Sequence, residues 1–251
     1  MTNAALIEPV STLLGGAGGA WYFTPETLAA GKAVGLDGSR FYFVGRGSVL
    51  GRVDWRVVAS AFGYFSPSIL EKMWTTGLQR CELETARTAH LDALADFGRL
   101  RLSDATGLEG FCSAAELLVD AASRDFSGLT LFAGYAAQPV PEDVPARAMH
   151  LTAVLRELRG SAHLTAVVAA GLATPVAHII RRPDALSMFG WREGEIPEPT
   201  EDDHRRLADA DRMTDALLER FYDALEPNQA AALLAGAEAI VDAIGRDAAH
   251  L

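Results

Sequence analysis

AMHLTAVLRELRGSAHLTAVVAA (148–170) decides the fold. Its apolar residues recur at helical spacing, which predicts a core helix. Into that pattern are set His150, Arg156, Glu157, Arg159 and His163. Charged groups enter a core only when they are paired, so these five must face solvent, satisfy one another or line a site. Gly160 and Gly171 punctuate the stretch. The pattern reads as helix 146–158, a break at Gly160, helix 162–170, a turn at Gly171 and a third helix from Thr174 to Arg182 that ends at Pro183. Short helices joined through a glycine give a helix-turn-helix outline.

Outward from there, further helices follow from caps and periodicity. Thr24-Pro25-Glu26 is a helix start, with Thr as N-cap, Pro at the first position and an acid in the first turn. Residues 53–65, 68–76, 82–101, 108–123, 129–137, 201–225 and 229–246 read as helices. Residues 40–44, with Phe41, Tyr42 and Phe43, fit either a short strand or a helix start. The Gly15–Gly19 region reads as flexible, without the lysine and strand–loop–helix setting of a phosphate loop. Gln138–Pro145 holds three prolines and is the best internal boundary. The expected fold is mainly α, with two helical lobes: an N-terminal one over 1–138 and a C-terminal helix-turn-helix or degenerate winged-helix-like one over 146–251.

The totals narrow the function classes. Across 251 residues, 49% are hydrophobic, enough for a sizeable core, and the net charge is −11. That charge repels phosphate backbones and argues against nucleic acid as a partner. Cys81 and Cys112 have no metal-ligand spacing and read as free thiols, so no metal site is expected. No apolar run reaches membrane-span length, and the N-terminus lacks a basic leader, so no membrane partner and a cytoplasmic location are expected. No HExxH, Walker, dinucleotide or nucleophile-elbow motif occurs, and no cofactor is expected.

Four stretches resemble the SalK-like family, actinobacterial proteins often labelled helix-turn-helix or MarR-like. They are WYFTPETL (21–28) followed by RFYFVGRGSVLGRV (40–53); VVASAFGYFSPSIL (57–70); LFAGYAAQPVP (131–141) followed by MHLTAVLRELRGSAHLTAVVAAGL (149–172); and Gly190-Trp191 with Met213-Thr214-Asp215. The similarity spans about residues 21–225. Three positions depart from the family pattern: Tyr135 and Leu158 stand where it has histidine, and Ser161 where it has aspartate. After Trp191 the winged-helix part is shortened to REGEIPEPTEDD (192–203), with six acids and one arginine. A reading helix needs positive charge and donors near its N-terminus. The resemblance therefore implies a regulator-like fold, while the local charge argues against DNA reading.

On a helix His150 and Glu157 share a stripe, and Arg156, Arg159 and His163 are near neighbours. Arginines hold anions, and His or Glu moves protons. Arg46, flanked by Gly45 and Gly47, is a second anion-binding candidate, because glycines allow close backbone approach to a ligand. The catalytic candidates are thus His150, Glu157 and His163. The substrate-binding candidates are Arg46, Arg156, Arg159 and Tyr135, with Asp215 weaker. The structural alternative keeps Glu157 and Arg159 on a solvated face, His150 in the core and Arg46 at a turn. The aromatics of the first half read mostly as core, and His90, His178, His204 and His250 as structural or surface. The expected function is conversion of an anionic small molecule between the two lobes, and the resemblance implies a place in actinobacterial specialised metabolism. The expected catalyst is a cofactor-independent acid–base enzyme of elimination, cyclisation or isomerisation type. The alternatives are a ligand-responsive MarR-like regulator, which would be a symmetric dimer, and a non-catalytic partner protein. A homodimer is left open.

Overall fold

The computed structural model describes residues 3–245, and among these it contains twelve α-helices and no strand. They are α1 (Ala4–Ala17), α2 (Pro25–Ala33), α3 (Gly38–Gly47), α4 (Trp55–Phe62), α5 (Pro67–Leu78), α6 (Leu83–Arg101), α7 (Leu108–Ser123), α8 (Thr130–Ala136), α9 (Val144–Ala169), α10 (Thr174–Arg181), α11 (Glu201–Tyr222) and α12 (Pro227–Ile244). His250 and the expected helix end at Arg246 lie outside the described residues.

Side-chain caps place the starts. Thr24 accepts from the backbone N–H of Thr27, and Pro25 follows it at the first position of α2. Ser66 and Pro67 do the same for α5. Asp143 caps α9 by accepting from Ala146 N–H, and a Thr200–Asp203 capping box opens α11. Residues 40–44 resolve as helix because Asp37 accepts from Arg40 N–H and starts α3.

The expected break at Gly160 is absent: α9 runs unbroken for 26 residues. A mid-helix glycine costs only about 1 kcal/mol. That is small against the burial along α9, which packs on α1, α6, α7, α8, α10 and α11. The helix-turn-helix outline survives in altered form. One long helix, α9, is followed by residues 170–173 and then α10, bent by 117° from it. Gly171, at φ +67°, supplies the left-handed turn residue. The segment between α10 and α11 contains a short 3₁₀ turn (Pro183–Ala185) and no strand, so a β-wing is missing there.

Buried apolar side chains gather in three groups. The largest joins α1, α6, α7, α9 and α12, including Trp21, Phe111, Met149 and Ile240. Helix α12, late in sequence, packs on α1 and α7, so helices from both sides of Gln138–Pro145 share this core. A second group joins α3, α4, α5 and the start of α6 around Phe41, Val44, Phe62 and Trp74. A third joins the end of α9 to α10 and α11. No single described helix is long and apolar enough to cross a membrane.

Candidate functional site

A cavity of about 380 Å³ opens where these groups meet, walled by α1, α3, α4, α8, α9, α10, α11, the 63–66 connection and Phe189 from the segment between α10 and α11. Helix α9 presents Arg156, Arg159, Gly160, His163 and Leu164 to it, a stripe at three- and four-residue spacing. Arg46 and Tyr42 come from α3, one turn apart. Phe62, Tyr64, Phe65 and Phe189 form an aromatic wall, and His178 and Arg181 come from α10.

Glu157 is buried and accepts three charge-assisted hydrogen bonds: from Arg46 Nε at 2.9 Å, Arg46 Nη2 at 2.8 Å and Arg156 Nη1 at 2.8 Å. The Arg46 pair is bidentate and ties α3 to α9. Arg46 Nη1 also donates to the Tyr42 hydroxyl at 3.0 Å, and its guanidinium lies 4.4 Å from the centre of the Phe62 ring. Burial opposes ionisation of Glu157, but Arg46 and Arg156 hold its carboxyl below the usual range. A carboxylate held this way is a poor proton acceptor. The geometry makes Glu157 a positioning residue for two arginines instead of the base expected from sequence.

The glycines beside Arg46 serve packing, not ligand approach. A Cβ on Gly45 would lie 2.4 Å from His90 Nδ1, and one on Gly47 would lie 2.9 Å from Trp74 Cζ3. Gly15 and Gly16, expected to be flexible, are in the last turn of α1; Gly18 just past it has a packing use, because Arg156 crosses it where a Cβ would sit 2.8 Å from Arg156 Cδ, and Arg156 donates to Gly15 O at 3.2 Å.

Three of the expected site residues lie outside the cavity wall. His150 shares the stripe of Glu157 but sits two turns away, about 10 Å along the axis, and does not reach the cavity. Burial alone pushes its pKa down to about 4. Tyr135 is fully buried behind the site, with its hydroxyl 3.3 Å from His90 Nε2. Asp215 is half-buried on α11 and does not line the cavity.

His163 has the best-defined chemistry. Its Nδ1 lies 3.0 Å from Thr214 Oγ1, whose hydroxyl proton is donated to Ala210 O at 2.7 Å. Assigning that proton to Ala210 O makes Nδ1–H of His163 the donor and leaves Nε2 as the acceptor. Burial first, and then Arg159, pushes the His163 pKa down to about 4, so the ring is neutral at pH 7. Arg181 pairs with Asp211 on α11. Arg159 makes no ion pair among the described residues.

The sequence reading missed Tyr64, His178, Arg181 and Thr214. Tyr64 OH and His178 Nε2 are buried without hydrogen-bond partners, and burial shifts Tyr64 up to about 12 and His178 down to about 4. One local signal existed for α10: Ala177, His178 and Arg181 recur at spacing that shares a face. Among the described residues no group of three or more His, Cys, Asp or Glu side chains is placed to hold a metal ion.

Comparison with curated proteins and with solved structures found no match. The model of a helix-turn-helix family matches residues 7–193, which span α1 to α10 and most of the cavity wall, and the chain belongs to that helix-turn-helix family.

Proposed function

We propose that the protein binds and converts an anionic small molecule in this cavity, without a cofactor, and that within its family it is a SalK-like protein of specialised metabolism. One observation carries the reading. Four arginines and a single carboxylate line a cavity in a chain of net charge −11. Glu157 neutralises one arginine and Asp211 another, which leaves two guanidinium charges for a ligand. The volume falls in the lower part of the roughly 300–1,000 Å³ range of small-molecule pockets. The aromatic wall favours a flat, apolar body. Arg159 and Arg156 hold the anionic group, and His163 Nε2 accepts a proton from the ligand. Arg46 and Glu157 hold Arg156 in place. Proton transfer of this kind serves an elimination, a cyclisation or an isomerisation.

The α9–α10 geometry favours a second reading, a ligand-responsive regulator. Against it, α10 turns Ala177, His178 and Arg181 to the cavity, and the segment that follows is acidic. The test is thermal unfolding with added anions, phenylacetate and benzoate among them. Ligand-dependent stabilisation that is lost in Arg159→Gln but kept in Arg205→Gln, a surface control, is the expected result. Retention on duplex DNA would favour the regulator.

A further inference from the structure

Three features meet at one end of the cavity. Arg159 makes no ion pair within 4 Å among the described residues, and Asp215 on α11, a carboxylate that feels its charge, does not line the cavity. His163, four residues on and on the same face of α9, lines the cavity beside it. The third feature is Thr214, fully buried on α11 and outside the cavity wall, which fixes what His163 can offer. The Thr214 hydroxyl donates to Ala210 O and can only accept from His163 Nδ1–H. Nε2 of His163 makes no hydrogen bond among the described residues, so a ligand meets a bare acceptor there. The other charged groups facing this imidazole are Arg159 on its own helix, Arg181 on α10 and Asp211 on α11, whose Oδ1 lies 3.8 Å from Nδ1. Burial first, and then Arg159, keeps the ring neutral and its acceptor role intact.

We propose that the cavity selects a carboxylate bearing a hydroxyl on the adjoining carbon, with the carboxylate on Arg159 and the hydroxyl donating to His163 Nε2, and that Thr214 sets this selection by fixing the histidine tautomer. This rests on the anion-binding reading above and goes further, because an unpaired cation alone would take any carboxylate. A ligand that lacks the hydroxyl, or carries a methoxy group there, leaves Nε2 unpaired or facing another acceptor. Phenyl substituents fit the wall of Phe62, Phe65 and Phe189.

The test uses the full chain and three acids of the same skeleton, mandelate (each enantiomer by itself), phenylacetate and α-methoxyphenylacetate, titrated by calorimetry. The better mandelate enantiomer is expected to bind about tenfold more tightly than the other two acids, because each of those leaves a polar group in the cavity without its partner. Thr214→Ser keeps the preference, and Thr214→Val removes it while phenylacetate affinity holds. Nitrogen-15 NMR of the unmodified protein gives a second readout that needs no variant, with Nε2 of His163 showing an unprotonated shift at pH 7. Equal binding of mandelate and phenylacetate, or a protonated Nε2 in the neutral ring, overturns the proposal and leaves the anion site standing. Binding of none of the three overturns both.

Discussion

Replacing Glu157 by Gln tests whether the buried ion cluster holds α3 to α9. Glu157 is 1% exposed and Arg46 is 8% exposed, so water cannot take over what the carboxylate supplies. Glutamine retains one acceptor oxygen but turns an amide N–H₂ toward a guanidinium nitrogen, and it leaves buried Arg46 and half-buried Arg156 as adjoining cations without a counter-charge. Three charge-assisted hydrogen bonds at 2.8–2.9 Å are lost or weakened. Breaking one partner out of a buried pair costs about 3–5 kcal/mol. For a chain of this size each kcal/mol lowers Tm by about 2–4 °C, which gives a fall of roughly 6–20 °C. Urea unfolding at pH 7 measures it, and the pH dependence separates charge from shape. The Glu157 pKa is lowered in the folded state from 4.5, so its stabilisation is fully present above that value and is lost as pH falls through the folded pKa. The gap between the native protein and E157Q must therefore close in acid below pH 4.5. Exchanging both partners, Arg46→Met with Glu157→Met, removes the stranded charge on Arg46 and costs less than E157Q alone. An E157Q protein within about 1 kcal/mol of the native one, or a gap unchanged with pH, would refute the clamp.

Three further outcomes follow from packing and titration. Gly160→Ala should stabilise the protein by about 0.5–1 kcal/mol in urea unfolding, because a Cβ there meets nothing within 4 Å and α9 is continuous; destabilisation would restore the break. Gly45→Ala should cost about 1–3 kcal/mol in the same assay, since its Cβ would collide with His90, itself packed on Trp21 and Phe41. Between pH 6.5 and 4 stability should fall steeply, by up to about 1.4 kcal/mol per pH unit for each histidine involved. His90, His150, His163 and His178 have folded pKa values of about 3–4, below 6.5, so the unfolded chain binds more protons in that window. A flat profile from pH 6.5 to 4.5 would contradict the buried neutral rings.

Much of the helix map was legible because its signals are local. Thr24-Pro25 and Ser66-Pro67 mark starts through their own side chains, and the 108–123 periodicity matches α7 to the residue. Gly160 was misread because propensity is a weak local cost, while the packing that overrides it comes from six other helices. In the site, Arg46, Arg156, Glu157, Arg159 and His163 do share one cavity. The role of Glu157 changed because its pairing with Arg46 spans 111 residues of sequence, which no spacing rule reaches. His150 fell away because a shared stripe does not mean a shared depth along the axis. Thr214, Tyr64 and His178 were invisible for the same reason as the Arg46 pair: α11, the Gly63–Ser66 connection and α10 meet α9 only in the folded chain.

The most direct measurement is a crystal structure with 4-bromophenylacetate, with the bromine located by anomalous scattering. A single strong peak beside Phe62, Phe65 and Phe189, with the carboxylate on Arg159, is the predicted result. Bromine found only on the outer surface, with the cavity closed to the label, would contradict the anion-binding cavity itself.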